Sequence, residues 1–404
     1  MKGADLKFRR SRRGSLRPRR LGGQANTCPL SPGWEFTRVE RYRKRRPAAP
    51  PRLSFCPVSR PLADMQLFEL TRALIDIESI TGNEECVGRR LFDHVAALAT
   101  RYGGRAARDH VEDGRANVFA CWGERPLVTL STHMDTVPPF VPSREDDEFI
   151  WGRGACDTKG IIAAMLTAAE ELLAEGARNF GVLFVVGEER NSIGAYYAAA
   201  HPQAARYLIN GEPTGNKLAL GSKGALRYEI AATGRMAHSA YPELGESAID
   251  KLLDALAAIR AIPLPVDGLL GPSTLNIGTI AGGRAPNVIA DQASAEIFIR
   301  LVSDSTATKD AIAAAVAGRA EARETIEIPA LRLGSLPGIE TTVVAYTTDI
   351  PAFGGAWGTP FLIGPGSIHV AHTLDERIPK RELQAAVAIY KNMVTELLSK
   401  AASE

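Results

Sequence analysis

From residue 65 onward the chain alternates between helical and strand-like spacing of apolar positions. Leu67, Leu70, Leu74 and Ile75 recur at helical spacing after Met65. Ser79-Ile80-Thr81-Gly82-Asn83 breaks that helix. Asn83 is a suitable N-cap for a second helix over about 84–102, which carries Val87, Leu91, Phe92, Val95 and Leu98. Short strands are predicted around 118–120 and 127–129, then a long apolar helix over 161–173. Apolar strands follow at 181–186 and 207–209, and an amphipathic helix closes the chain over about 380–399. Strands interleaved with helices predict an α/β fold.

Residues 224–331 read differently. Strands at 226–233, 274–280, 293–301 and 325–328 are joined by helices at 247–262 and 308–316. That βαββαβ order is ferredoxin-like. It interrupts the α/β pattern, which predicts a second domain, 224–331, inserted between 65–223 and 332–404.

The net charge of +2 conceals an asymmetry. Residues 1–64 carry 17 Lys and Arg against 4 Asp and Glu, a balance of +13, so the remainder carries −11. This Pro-containing basic stretch has no hydrophobic period and is expected to be a disordered extension. Nucleic-acid binding through it is the sharper alternative, but a solvated tail ahead of a start at Met65 is the simpler reading. No apolar run is long enough to span a bilayer. Five cysteines show no paired spacing, so no disulfide framework is suggested and a cytoplasmic setting is expected.

The candidate chemistry sits where apolar runs stop. Leu130-Ser131-Thr132-His133-Met134-Asp135 ends in a Pro-Pro break, with a His and an Asp two residues apart on one side of a strand end. Asp157, in Gly152-Arg153-Gly154-Ala155-Cys156-Asp157-Thr158-Lys159-Gly160, precedes the long apolar helix. On its own it would pass for an N-cap, and the glycines alone do not make a phosphate loop. The strand at 181–186 runs into Gly187-Glu188-Glu189, and the strand at 207–209 into Asn210-Gly211-Glu212-Pro213. Near the C-terminus, Gly364-Pro365-Gly366 leads to Ala371-His372-Thr373. His133, Asp157, Glu189, Glu212 and His372 form an imidazole and carboxylate set without thiolate, suited to zinc or a harder divalent ion. Five ligands fit two ions sharing one carboxylate, with Glu188 as general base and acid. Arg300, in an apolar strand, needs an anionic partner from the protein or a substrate. His110, His201 and His369 are read as incidental.

Together with Ala237-His238-Ser239-Ala240, these motifs resemble the acetylornithine deacetylase / succinyl-diaminopimelate desuccinylase family of dinuclear zinc hydrolases. That family also contains aminoacylases, dipeptidases and glutamate carboxypeptidases. The resemblance covers about 65–404 and implies a zinc-peptidase-like catalytic domain, a mixed central sheet flanked by helices, with a lid and dimerisation insert. It implies that His133 and Glu212 hold one metal, that Glu189 and His372 hold the other, and that Asp157 bridges them ahead of a cis peptide to Thr158. It further implies that Asp135 orients His133, that Glu188 activates water, and that His238 reaches into the partner subunit's site of a homodimer. Asn287 and Arg300 resemble substrate-carboxylate contacts; Thr348 and Asp349 resemble a substrate-side loop. One departure is Gly187, where the family often has Asp. Two divalent ions, zinc or cobalt, are expected.

The leading expectation is hydrolysis of an N-acyl amino acid of the acetylornithine deacetylase type, within arginine or lysine biosynthesis. Release of lysine or ornithine from an amino-group carrier protein, succinyl-diaminopimelate desuccinylation, and di- or carboxypeptidase action are the alternatives. A metal-free binding protein on the same fold is the non-enzymatic alternative, disfavoured because every ligand position is filled.

Overall fold

The computed structural model describes residues 61–62 and 65–403. The basic stretch therefore lies outside the described residues, apart from Pro61 and Leu62. Leu62 is buried in the main core, so that core includes a residue ahead of the expected start at Met65.

Four strands form the centre. Phe180–Val185, Val128–His133, Tyr207–Asn210 and Thr359–Leu362 lie side by side in that order, all parallel. The first three are buried at every position, as a parallel centre covered on both faces requires. Arg115–Trp122 and Gly104–Glu112 add antiparallel strands beyond Phe180–Val185. Leu218–Ser222, Leu331–Arg332 and Thr341–Val344 extend the other side of a nine-stranded mixed sheet.

Alternate side chains of this sheet enter different cores. Val118, Leu130, Val182 and Ile209 pack with helices Leu67–Ile75, Glu85–Tyr102, Lys159–Ala174 and Lys380–Ser403. Phe119, Leu183, Val185 and Leu208 pack with Ile193–Ala200 and Ile350–Phe353. Because the central strands are parallel, their C-terminal ends share one edge of the sheet. His133 ends its own strand, Gly187-Glu188-Glu189 follows Val185, and Gly211-Glu212 follows Asn210. Topology thus gathers residues far apart in sequence, at the place where open α/β sheets bind ligands.

The second sheet is antiparallel, with the order Thr274–Gly282, Gln292–Leu301, Gly224–Thr233, Glu321–Ile328. Helices Ala248–Arg260 and Thr306–Val316 cover one face. The strand–helix–strand–strand–helix–strand order follows the predicted pattern. Ser247 caps the first helix by accepting a hydrogen bond from the Asp250 amide at 3.2 Å.

Three local expectations fail. Asn83 is not the N-cap: Glu84 occupies that position, and the Asn83 side-chain Nδ2 donates to Glu78 at 3.2 Å. The Glu84 carboxylate is drawn instead to Arg115, at 2.6 and 3.0 Å. The strand Gly104–Glu112 escapes prediction because its positions are mostly half-buried and charged residues fall on both faces. Cys86 is disulfide-bonded, which the cysteine spacing does not suggest; its partner lies outside the described residues.

His94, on the helix Glu85–Tyr102, has a physical consequence. It is buried, and neither ring nitrogen has a hydrogen-bond partner among the described residues. Burial pushes its pKa from 6.5 down to about 4. The folded state therefore binds this proton more weakly than the unfolded chain. The stability tied to the neutral ring is complete above the unfolded pKa and is lost as pH falls towards 4. The full loss is on the order of 3 kcal/mol. His94→Leu should remove this component, so urea denaturation at about pH 5 should find the variant more stable by about 2 kcal/mol. At neutral pH the advantage should shrink to the gain from removing an unsatisfied polar ring.

Candidate metal centre

His133 is 1% exposed at the end of its strand. Its Nδ1 lies 3.0 Å from the Asp135 main-chain oxygen. A carbonyl only accepts, so Nδ1 carries a proton, and Nε2 is the ring atom turned towards the other acids of the cluster. That Nε2 faces Asp157 Oδ1 at 3.0 Å. The other oxygen of the same carboxylate, Oδ2, lies 3.2 Å from His372 Nε2. His372 Nε2 is also 3.1 Å from Glu189 Oε1. On the His133 side, Glu212 Oε1 and Glu188 Oε2 each lie 4.0 Å from Nε2. Single ligand atoms from His133, Asp157 and Glu189 all fall within 4.8 Å of one another. Glu212 Oε1 is buried without a hydrogen-bond partner. The structure thus brings all five sequence-predicted ligand positions, and Glu188, into one cluster.

The loops that carry these groups are tied by carboxylates. Asp135 Oδ1 accepts from the Gly187 and Glu188 amides at 3.0 and 3.1 Å, and Oδ2 from the Glu189 amide at 3.3 Å and the Thr81 hydroxyl at 2.8 Å. Its carboxylate is 3.5 Å from His133 Nδ1, farther than its own main-chain oxygen. The expectation that Asp135 orients His133 therefore needs refinement: the main chain of Asp135 holds the ring, and its side chain holds the Glu188-Glu189 turn. Gly187 has φ +82°, and a Cβ there would come within 2.6 Å of Arg115 Nη2. At this φ an L side chain would be strained, so glycine suits the turn that this chain builds here.

Glu376 fixes the other loop. Its Oε1 accepts from the amides of Gly154, Cys156 and Asp157 at 2.9, 3.3 and 3.3 Å, while Oε2 meets Arg153. The peptide from Asp157 to Thr158 is cis. Thr158, not Asp157, stands at the helix N-cap, so Asp157 is free of a capping role. Sequence reasoning gave Glu376 no role. Its only signal was an acid four residues after His372. Thr81, hydrogen-bonded to Asp135, carried none beyond its place in a turn.

Crowding controls the electrostatics. Burial, reinforced by neighbouring acids, raises the pKa of Glu188 and Glu212 well above the usual carboxylate range. Burial also opposes ionisation of Asp157, but the hydrogen bonds of His133 and His372 prevail and its pKa is lowered. Hydrogen bonds to Asp157 and Glu189 lift His372 to about 10. Burial disfavours a charged His133, yet Asp135 and Asp157 raise its pKa well above normal. Asp349, buried beside the cluster, is pushed up to about 7 by burial. Such a set of acids is stabilised by added positive charge.

A cavity of about 610 Å³ opens above the cluster. Asp157, Glu188, Glu189, Glu212 and His372 line one side, and Phe298, Arg300, Ile326 and Ile328 of the second sheet line the other. Thr348 lines it as well, whereas Asp349 does not line it and is buried. His238 and Asn287 do not line it. They are exposed in adjoining loops, where the Ser239 amide donates to the Asn287 main-chain oxygen at 3.0 Å. His110 and His369 are exposed and do not line the cavity, and His201 stacks on Tyr197 at 4.2 Å between ring centroids.

The chain's likenesses agree with this geometry. The model of the peptidase family M20/M25/M40 matches residues 129–396. A peptidase M20 domain-containing protein of Schizosaccharomyces pombe is 38% identical, over 81% of this chain and 84% of its own. A probable carboxypeptidase of Aspergillus clavatus is 36% identical over 83% of each chain. A tripeptidase from Staphylococcus aureus shares the fold, with a TM-score of 0.69 and 22% identity over 81% of this chain and 98% of its own. The chain belongs to the M20/M25/M40 peptidase family and is a hydrolase of amide or peptide bonds.

Proposed function

We propose that this hydrolase removes a residue bearing a free α-carboxylate from an acyl or aminoacyl partner, using two divalent metal ions. The observation that carries the reading is the division of Asp157, whose two carboxylate oxygens face different imidazoles at 3.0 and 3.2 Å. The unpartnered buried oxygen of Glu212 and the absence of thiolate fit hard or borderline ions, with zinc the leading candidate and cobalt the second. His133 and Glu212 would hold one ion, His372 and Glu189 the other, and Asp157 would serve both. When bound, the ions would acidify the attacking water and polarise the scissile carbonyl. Glu188 takes a proton from that water and returns it to the leaving nitrogen, which completes hydrolysis of the C–N bond.

Arg300 supports the choice of substrate end. On the open face of the second sheet, Arg227 pairs with Glu296 and Arg323 with Glu229. Arg300 lies on the same face at the cavity and has no acidic partner among the described residues. It rests on Phe298, 4.7 Å from the ring centroid, and is half-buried. A half-buried guanidinium without an acid suits a substrate carboxylate. The relatives called probable carboxypeptidases favour that side of the class over deacetylation of acetylornithine or release of lysine or ornithine from a carrier protein. His238 and Asn287 share one exposed pair of loops away from the cavity, which suits a role across a homodimer. On this reading residues 224–331 act as lid and dimerisation domain.

Glu188→Gln should leave metal content unchanged and lower kcat by about 10²- to 10⁴-fold; turnover near wild type would reject Glu188 as the base. Arg300→Met should lower kcat/KM on free-acid substrates by about 10- to 100-fold. It should have little effect on the same compounds blocked as carboxamides. An equal loss on both would show that Arg300 does not read the carboxylate.

A further inference from the structure

The floor of the cavity beside Arg300 is set by a β-bulge. Along Glu321–Ile328 the pairing with Gly224–Thr233 runs regularly to Glu324 opposite Tyr228, then slips so that Ile326 faces Arg227 and Ile328 faces Ala225. Thr325 is the extra residue. Arg323 pairs with Glu229 on the open face. Unbroken alternation from there would carry positions 325 and 327, hence Glu327, onto the same face. The bulge reverses the phase beyond it, as bulges beside active sites do. Glu327 turns to the helix side, where Lys309 holds it at 2.6 Å and Ser305 donates to it. Ile326 and Ile328 take the open face beside Phe298 and Arg300, and all four line the cavity. Ile326 remains 38% exposed, although an apolar side chain in a strand is ordinarily covered.

The charges lining the cavity narrow what these side chains meet. Its acids are Asp157, Glu188, Glu189 and Glu212, all in the ligand cluster, and Glu327, which Lys309 engages. Among the described residues, no acid is left there to receive a lysine or ornithine ammonium. Apart from His372 of the cluster, the cations among the lining residues are Arg300 and the exposed Arg190.

We propose that Phe298, Ile326 and Ile328 form a subsite for an apolar side chain, that of the residue whose carboxylate Arg300 holds. The subsite rests on the carboxylate reading of Arg300 and adds the substrate class. A leucine or phenylalanine side chain would cover Ile326, whereas a basic one would lie against Arg300 without a counter-charge.

The test is kcat/KM of the full-length, zinc-loaded enzyme on matched N-acetyl and alanyl derivatives of leucine, phenylalanine, lysine, ornithine and glutamate. Leucine and phenylalanine should exceed lysine and ornithine by about 10- to 100-fold in whichever series is cleaved. Ile326→Asp, at a partly exposed site, should lower the leucine rate and raise the lysine rate, and Ile328→Asp should do the same. Ile326→Leu should keep the wild-type order. Equal rates, or a preference for lysine or ornithine, would overturn the subsite, and a preference for glutamate would assign recognition to Arg190 and overturn it too. Carboxamide-blocked leucine substrates separate the two layers. If they are cleaved as well as the free acids, the carboxylate reading fails with the subsite; if free acids are required but side chains are not discriminated, only the subsite fails.

Discussion

The structure depends on one carboxylate shared between two imidazoles. Asp157 meets His133 with one oxygen and His372 with the other. Those histidines come from opposite ends of the catalytic sequence, one closing an early strand and the other preceding the last helix. Around Asp157 stand Glu188, Glu189 and Glu212, a density of buried acid that would be costly if left uncompensated. The surrounding fold keeps these groups in place. Glu376 gathers the amides on the Asp157 side, and Asp135 gathers those of the Glu188-Glu189 turn. Both tie loops that are distant in sequence.

Parallel topology explains why so much of this was legible in the sequence. A buried parallel strand reads as an unbroken apolar run, and its end is marked by the first polar residues after it. Glu188-Glu189 and Glu212 follow such runs closely, and His133 closes a strand whose apolar start gives way to Ser131-Thr132, so their convergence needed only the strands to be neighbours. Asp157 and His372 are on loops, and it was the motif resemblance that singled them out. The order of strands and helices over 224–328 was equally legible, because they switch period cleanly.

What escaped the sequence was contact geometry. Nothing in the local pattern shows that the carboxylate of Glu376 binds three amides, or that Asp135 holds a turn with its side chain and a ring with its main chain. Asn83 had the chemistry of a cap, but Glu84 and Arg115 settled the helix start through a tertiary ion pair. The bulge at Thr325 was also unreadable, since one extra residue in a charged strand leaves no mark on its composition. Yet that residue decides whether Glu327 or Ile326 takes the open face of the sheet beside Arg300.

The division of Asp157 between two histidines has a direct physical consequence: each chain should hold two ions, not one. The measurement is metal content per chain by native mass spectrometry on protein titrated with zinc to saturation. The account predicts two zinc ions per wild-type chain and fewer than two in Asp157→Asn of unchanged fold. A wild-type chain that saturates with one ion, or an Asp157→Asn chain that retains two, would contradict it.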